Sequence, residues 1–228
     1  MRVSFLLRVV LPDRPGSLGA VATALGNAGA DILGVDVVER SAGTAVDDLA
    51  VELPAGRPPD VLITAAEAVP GVQVESVRPY VGRLDTHREL ELVDEIAGDP
   101  AHGLQRLTDE VPRLFRAGWA LIVVREGGRS WRLAESGAAP ETRAGDLPWL
   151  PLTTTMVIDP ETQWVPSPWR ELDTELAAAP FGPASSAQAL VVGRPGGPAF
   201  RRSELARLTH LAGIVTAVLG PEGTSAGG

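Results

Sequence analysis

The stretch Asp13-Arg14-Pro15-Gly16-Ser17-Leu18-Gly19 gathers the groups needed to hold a small charged molecule. It lies where an apolar run ends and an amphipathic one begins, which is the signature of a turn entering a helix. A helix start offers N–H groups without intrahelical partners and a partial positive charge, and both attract a carboxylate. Gly16 has no side chain, so a ligand can approach the backbone there. Asp13, and Asp31 further on, are carboxylates able to accept charge-assisted hydrogen bonds from an ammonium, each worth about 1.5–3 kcal/mol. A plainer role is open to both. Asp13 can cap the helix, for about 1 kcal/mol, and Asp31 can simply begin an edge strand.

Other chemistries are excluded by composition. All 20 basic residues are arginine, so no amine is available for a Schiff base or a phosphate loop. Cysteine is absent, which removes disulfides, thiolate nucleophiles and thiolate metal sites. His87, His102 and His210 are far apart in sequence and lack metal-binding spacing. No catalytic set is visible, and neither an enzyme, a metal nor a cofactor is expected. The formal net charge of −9 argues against nucleic acid or an anionic membrane as a partner. The first residues lack a cleavage signal and no run is long enough to span a bilayer, so a cytoplasmic location is expected. Arginine-only usage with abundant Ala, Gly and Pro suggests a bacterial genome of high GC content.

The elements that must position these groups follow from periodicity. Phe5, Leu7, Val9 and Leu11 share one face of a strand over 3–11. Pro15 is expected as the first helical residue, and Leu18, Val21, Ala22 and Leu25 form the buried stripe of that helix. Gly29 is a natural left-handed stop. Strands over 31–40 and 44–53 flank the turn Ser41-Ala42-Gly43, with Ala45, Asp47, Leu49, Val51 and Leu53 on one side. A helix from Pro58 to about Val69 and a strand ending near Tyr80 complete a strand, helix, strand, strand, helix, strand order. This packs as a four-stranded antiparallel sheet with both helices on one face.

Beyond it, an amphipathic helix over 84–97 is expected to bury Leu84, Leu90, Val93 and Ile96. A second helix runs from Asp99-Pro100 to about Arg116. Strands are expected at 120–124, 130–134, 153–158 and 189–192, and a final helix from Ser203, its N-cap, to Leu219. The segments 136–151 and 159–186 read as loops, with a short helix near 169–178, and Gly193-Arg194-Pro195-Gly196-Gly197 as a hairpin turn. Trp119 and Trp131 sit on strands and are expected in the core. Trp149, Trp164 and Trp169 fall in proline-rich loops, where they can line a pocket or a partner surface.

On these residues the first part resembles the ACT domain family of small-molecule regulatory modules. Leu11-Pro12-Asp13-Arg14-Pro15-Gly16-Ser17-Leu18-Gly19 is similar to the family's loop, and Asn27-Ala28-Gly29-Ala30-Asp31-Ile32 to the opening of its second strand. The resemblance implies a ferredoxin-like βαββαβ fold. It also implies an amino-acid site at a dimer interface, held between this loop and the second strand of a neighbour. The ligand-binding residues would then be Asp13, Arg14, Pro15, Gly16, Ser17, Leu18, Gly29, Asp31 and Ile32. Some amino-acid-binding members carry a polar residue where Leu11 stands, which leaves the identity of the ligand open.

Residues 84–219 resemble, more distantly, the GAF family of sensory domains. The flanking helices, the Gly127-Gly128 hairpin and the Phe200–Leu219 run carry that likeness. The expected fold class is α+β: an ACT-like domain over 1–81, an α+β GAF-like domain with an antiparallel sheet and flanking helices over 82–220, and a disordered tail over 221–228. The expected function is non-enzymatic regulation by an amino acid or similar small metabolite in a homodimer. The GAF-like part would be signal output, a second sensor or a dock for a protein partner. The alternative is a dimerisation or interaction module without a small-molecule ligand.

Overall fold

The computed structural model describes residues 2–80, 87–141, 147–183 and 186–223, and the chain divides into two compact units, Met1–Asp85 and Thr86–Gly228. Both units are mixed α and β with antiparallel sheets.

The first unit runs β1 (Arg2–Pro12), α1 (Ser17–Asn27), β2 (Asp31–Ser41), β3 (Thr44–Pro54), α2 (Asp60–Glu67) and β4 (Gln73–Pro79). Its sheet has the order β2-β3-β1-β4. The period-two pattern holds: Phe5, Leu7, Val9 and Leu11 join Ala45, Leu49, Val51 and Leu53 in one core with Val21 and Leu25 of α1 and Leu62 and Ala66 of α2. Both helices therefore cover one face.

The other face carries a salt bridge that alternation places there. Arg8 and Asp48 are cross-strand partners, and both side chains are fully buried. Arg8 Nε donates to Asp48 Oδ1 at 2.7 Å and Nη2 donates to Oδ2 at 2.8 Å. The β2–β3 hairpin turns through Ala42 and Gly43, both at positive φ, as a two-residue turn between twisted strands requires. Register shifts between Ile32 and Gly34 and between Val37 and Glu39 bulge the edge strand β2.

One helix start differs from the expectation. Helix α1 begins at Ser17, after Gly16 at φ 89°, so Pro15 lies in the turn rather than inside the helix. A left-handed Gly16 breaks the helical path, and only beyond it can helical hydrogen bonding start.

The second unit runs α3 (Arg88–Gly98), a 3₁₀ turn (Pro100–His102), α4 (Gly103–Leu114), β5 (Trp119–Glu126), β6 (Arg129–Glu135), β7 (Met156–Ile158), α5 (Ser167–Arg170), β8 (Glu175–Phe181), β9 (Ala187–Arg194) and α6 (Arg202–Gly223). The sheet order is β6-β5-β9-β8-β7. One face packs under α3, α4 and α6. The other packs under the segments bearing Leu147, Leu150, Val165 and Trp169.

Several expectations change here. Strand β8 occupies 175–181, where the sequence predicts a loop and the end of a short helix. Its Leu176-Ala177-Ala178-Ala179 run has helical propensity, but it lies between β7 and β9 with both faces covered, and there small residues fit a strand. Leu90 is 70% exposed, while Leu92 and Ile96 are buried. The stripe of α3 is set by the i, i+4 pair 92 and 96, and Leu90 lies roughly 200° around the helix from Leu92. Leu84 lies outside the described residues.

The Arg194–Gly197 segment is not a hairpin, since it leads from β9 into α6. Ser203 is inside α6 rather than its cap. Glu204 instead accepts from the Arg201 N–H at 2.9 Å. Helical hydrogen bonding resumes past a kink at Gly220 (φ 66°) and reaches Gly223; residues 224–228 of the expected tail lie outside the described residues. Trp131 is only half-buried, because it lies on the edge strand β6.

Trp169 is fully buried, and its ring lies 5.9 Å from that of Trp119. Trp119 in turn lies over its cross-strand partner Gly193, where a Cβ would stand 2.0 Å from the indole. Gly193→Ala is therefore expected to destabilise the chain by about 1–3 kcal/mol through overpacking. Denaturant unfolding measures this, with Gly98→Ala, whose Cβ would meet nothing within 4 Å, as the control.

Candidate functional site

The turn between β1 and α1 is tied to the β2–β3 hairpin. The Asp13 N–H donates to Gly43 O at 2.8 Å, and the Ser17 N–H donates to Arg14 O at 3.2 Å. Gly16 takes its left-handed conformation in open space, since a Cβ there would meet nothing within 4 Å. Among the described residues no side chain caps α1. The Leu18 and Gly19 N–H groups find no acceptor among the described residues. Asp13 is thus not used as a cap. Its Oδ1 lies 3.8 Å from Arg40 Nε on the neighbouring β2, with both side chains exposed.

The remaining candidates lie elsewhere. Asp31 opens β2 opposite Glu52 and pairs with Arg2 at 3.7 Å. The hairpin that holds Asp13 is at the other end of that strand, about 30 Å away for eleven extended residues. Gly29 has φ 81°, as its stop role requires. The Arg57 guanidinium stands against it, donating from Nη1 to Ala28 O at 2.5 Å. Ile32 packs against the helix-side core. Asp13 to Leu18 therefore form one group, and Gly29, Asp31 and Ile32 a second at the opposite end of the sheet. One copy of the chain does not bring them together.

A further residue belongs with the first group. Asp47 lies on the helix face of β3 between Val9 of β1 and Val37 of β2. It is 3% exposed, and its Oδ1 has no hydrogen-bond partner among the described residues. Burial pushes its carboxyl above the ordinary value; the Arg40 guanidinium opposes this, and the Asp48, Asp13 and Asp36 carboxylates add to it. The signal was present in the sequence, as a charged residue in phase with Ala45, Leu49, Val51 and Leu53. Among the described residues no group of three or more His, Asp or Glu side chains is placed to hold a metal ion.

Residues 5–71 match the ACT domain family. The ACT segment contains the turn, Gly29, Asp31, Ile32 and Asp47. No curated protein matches the chain.

Among solved structures, the chain is similar to the GAF domain of a phosphoenolpyruvate-protein phosphotransferase from Acinetobacter. That match has 14% identity and a TM-score of 0.45, covering 59% of this chain and 94% of that one. A GAF domain/HD domain protein from Geobacter sulfurreducens is 19% identical with a TM-score of 0.41, over 58% of this chain and 95% of that one. An unknown protein from Galdieria sulphuraria is 13% identical with a TM-score of 0.33, over 96% of this chain and 92% of that one.

The raised Asp47 carboxyl has a defined sign. A group whose folded value lies above its unfolded one loses stability as pH rises through the folded value. Asp47→Asn should therefore be more stable than the wild type at pH 7. The difference should shrink as pH falls toward the ordinary aspartate value, below which Asp47 is protonated in both states. Paired unfolding curves from pH 7.5 down to pH 4 measure it, and a gap independent of pH contradicts the assignment.

Proposed function

We propose that the chain is a non-enzymatic regulatory protein whose ACT segment binds a free amino acid or similar small metabolite at the interface of a homodimer. The observation that carries this reading is the separation of the two aspartate groups along β2. Strand β2 is a sheet edge, and Leu33, Val35 and Val37 on it are 53%, 40% and 45% exposed. Antiparallel pairing of this edge with that of a second copy brings Asp31 of one copy to the Ser41 end of the other, where Asp13 lies. A ligand there has the Leu18 and Gly19 N–H groups for its carboxylate and two aspartates for its ammonium.

The second unit would be the output or a second sensor, or would dock a protein partner. Among the described residues no helix is long and apolar enough to cross a membrane. With the acidic, arginine-only composition, we read the protein as a bacterial, cytoplasmic regulator that binds neither nucleic acid nor membrane. Binding across a subunit boundary can bias two arrangements of a dimer by about 1–3 kcal/mol.

Thermal unfolding against a panel of amino acids is the test. One or a few should raise the melting temperature, and Asp13→Ala should abolish the rise while leaving the unliganded protein within about 0.5 kcal/mol of the wild type, as for an exposed side chain. No stabilisation by any member of the panel contradicts the reading.

A further inference from the structure

We propose that Asp47 reads the ligand's side chain, and that the site takes an amino acid whose side chain carries a cation. The inference rests on the amino-acid-binding reading above and adds the class of ligand. Asp47 is two positions along β3 from Ala45, whose cross-strand partners are Leu11 and Arg40. Leu11 leads into the Asp13 turn, and Arg40 reaches Asp13 itself. Asp47 therefore lies on the same face as the turn, one step deeper along the strand. On its inner side is the buried Val9, and on its outer side is Val37, 45% exposed at the open edge.

The chemistry of that position is one-sided. A carboxylate oxygen buried without a donor is unfavourable, more so when ionised. The surrounding Asp13, Asp36 and Asp48 charges raise the cost. The opposing cation, Arg40, is drawn toward Asp13 at 3.8 Å. A neutral ligand side chain laid over Asp47 would give its oxygen no donor and no opposing charge. An ammonium or guanidinium gives both the donors and the charge.

The turn itself is open at its surface, because Cβ atoms at Gly16 and Gly19 would meet nothing within 4 Å. With its α-carboxylate on the Leu18 and Gly19 N–H groups and its α-ammonium on Asp13, the ligand's side chain is left to extend along β3 to Asp47.

The experiment is thermal unfolding of the full chain with lysine, ornithine and arginine. Norleucine and citrulline serve as neutral isosteres, and cadaverine carries the charges without the carboxylate. At a hundredfold excess over Kd a cationic amino acid should raise the melting temperature by about 5–10 °C. The isosteres and cadaverine should not, and Asp47→Asn should erase the preference for the cationic members.

Equal stabilisation by arginine and citrulline, an equal shift with cadaverine, or an unchanged preference in Asp47→Asn each overturns the proposal and leaves the amino-acid reading standing. No shift with any amino acid overturns the reading, and the proposal with it. If Asp47→Asn does not fold, the comparison of arginine with citrulline on the wild type decides alone.

Discussion

The pairing register of β1 with β3 governs the first unit, and the bidentate contact between Arg8 and Asp48 marks where it is held. Both residues are cross-strand partners with no exposed side-chain surface. A slip of β1 by one residue would exchange that strand's faces, sending Arg8 into the helix-side core and Leu7 out of it, and leaving Asp48 buried without its partner. A buried ion pair of this kind adds little net stability, but breaking it leaves an uncompensated charge worth about 3–5 kcal/mol. It therefore discriminates strongly against wrong registers.

The same register decides what the site can be. With Asp48 turned to one face, its neighbour Asp47 must point to the other, into the layer beneath the helices. Adjacent aspartates thus meet opposite circumstances: one receives two hydrogen bonds from a guanidinium, and the other has an oxygen with no partner. The register also fixes the hairpin so that Gly43 O receives the Asp13 N–H. That bond anchors the turn at one end of β2 and leaves Asp31 at the other. The open edge of β2, with three exposed aliphatic side chains, is then where a second strand can complete what one copy separates.

Much of this was legible in the chain. The odd-numbered face of β1, the stripe of α1 and the glycines at the left-handed stops all follow from local rules, and those rules hold where the sequence itself carries the period of the element. They fail where it carries none. Strand β8 reads as the end of a short helix and a loop because its alanines carry no alternation, and only β7, β9 and the two core layers make it a strand. Helix α6 starts at Arg202 for a tertiary reason. Arg194 is fully buried beneath it and donates to Phe115 O, Pro198 O and Glu204 Oε1 while stacking 4.0 Å over Phe200. Glu204, fixed by that arginine, then caps the helix that Ser203 was expected to cap.

The site divides along the same line. Asp13 and Gly16 could be picked out because a turn and a helix start are local events, and their conformations depend on residues within a few positions. Asp47 could not be ranked by that route, since its importance lies in what it lacks. Folding alone offers no reason to keep a buried carboxylate oxygen unpaired when alternation could have supplied Leu or Val, as at Leu49 and Val51. Stability can be given up at such a position when the missing partner arrives with a ligand, because a donor absent from the free protein is then present only in the bound state. In the proposed site, the orphaned Asp47 oxygen is the position kept for such a donor.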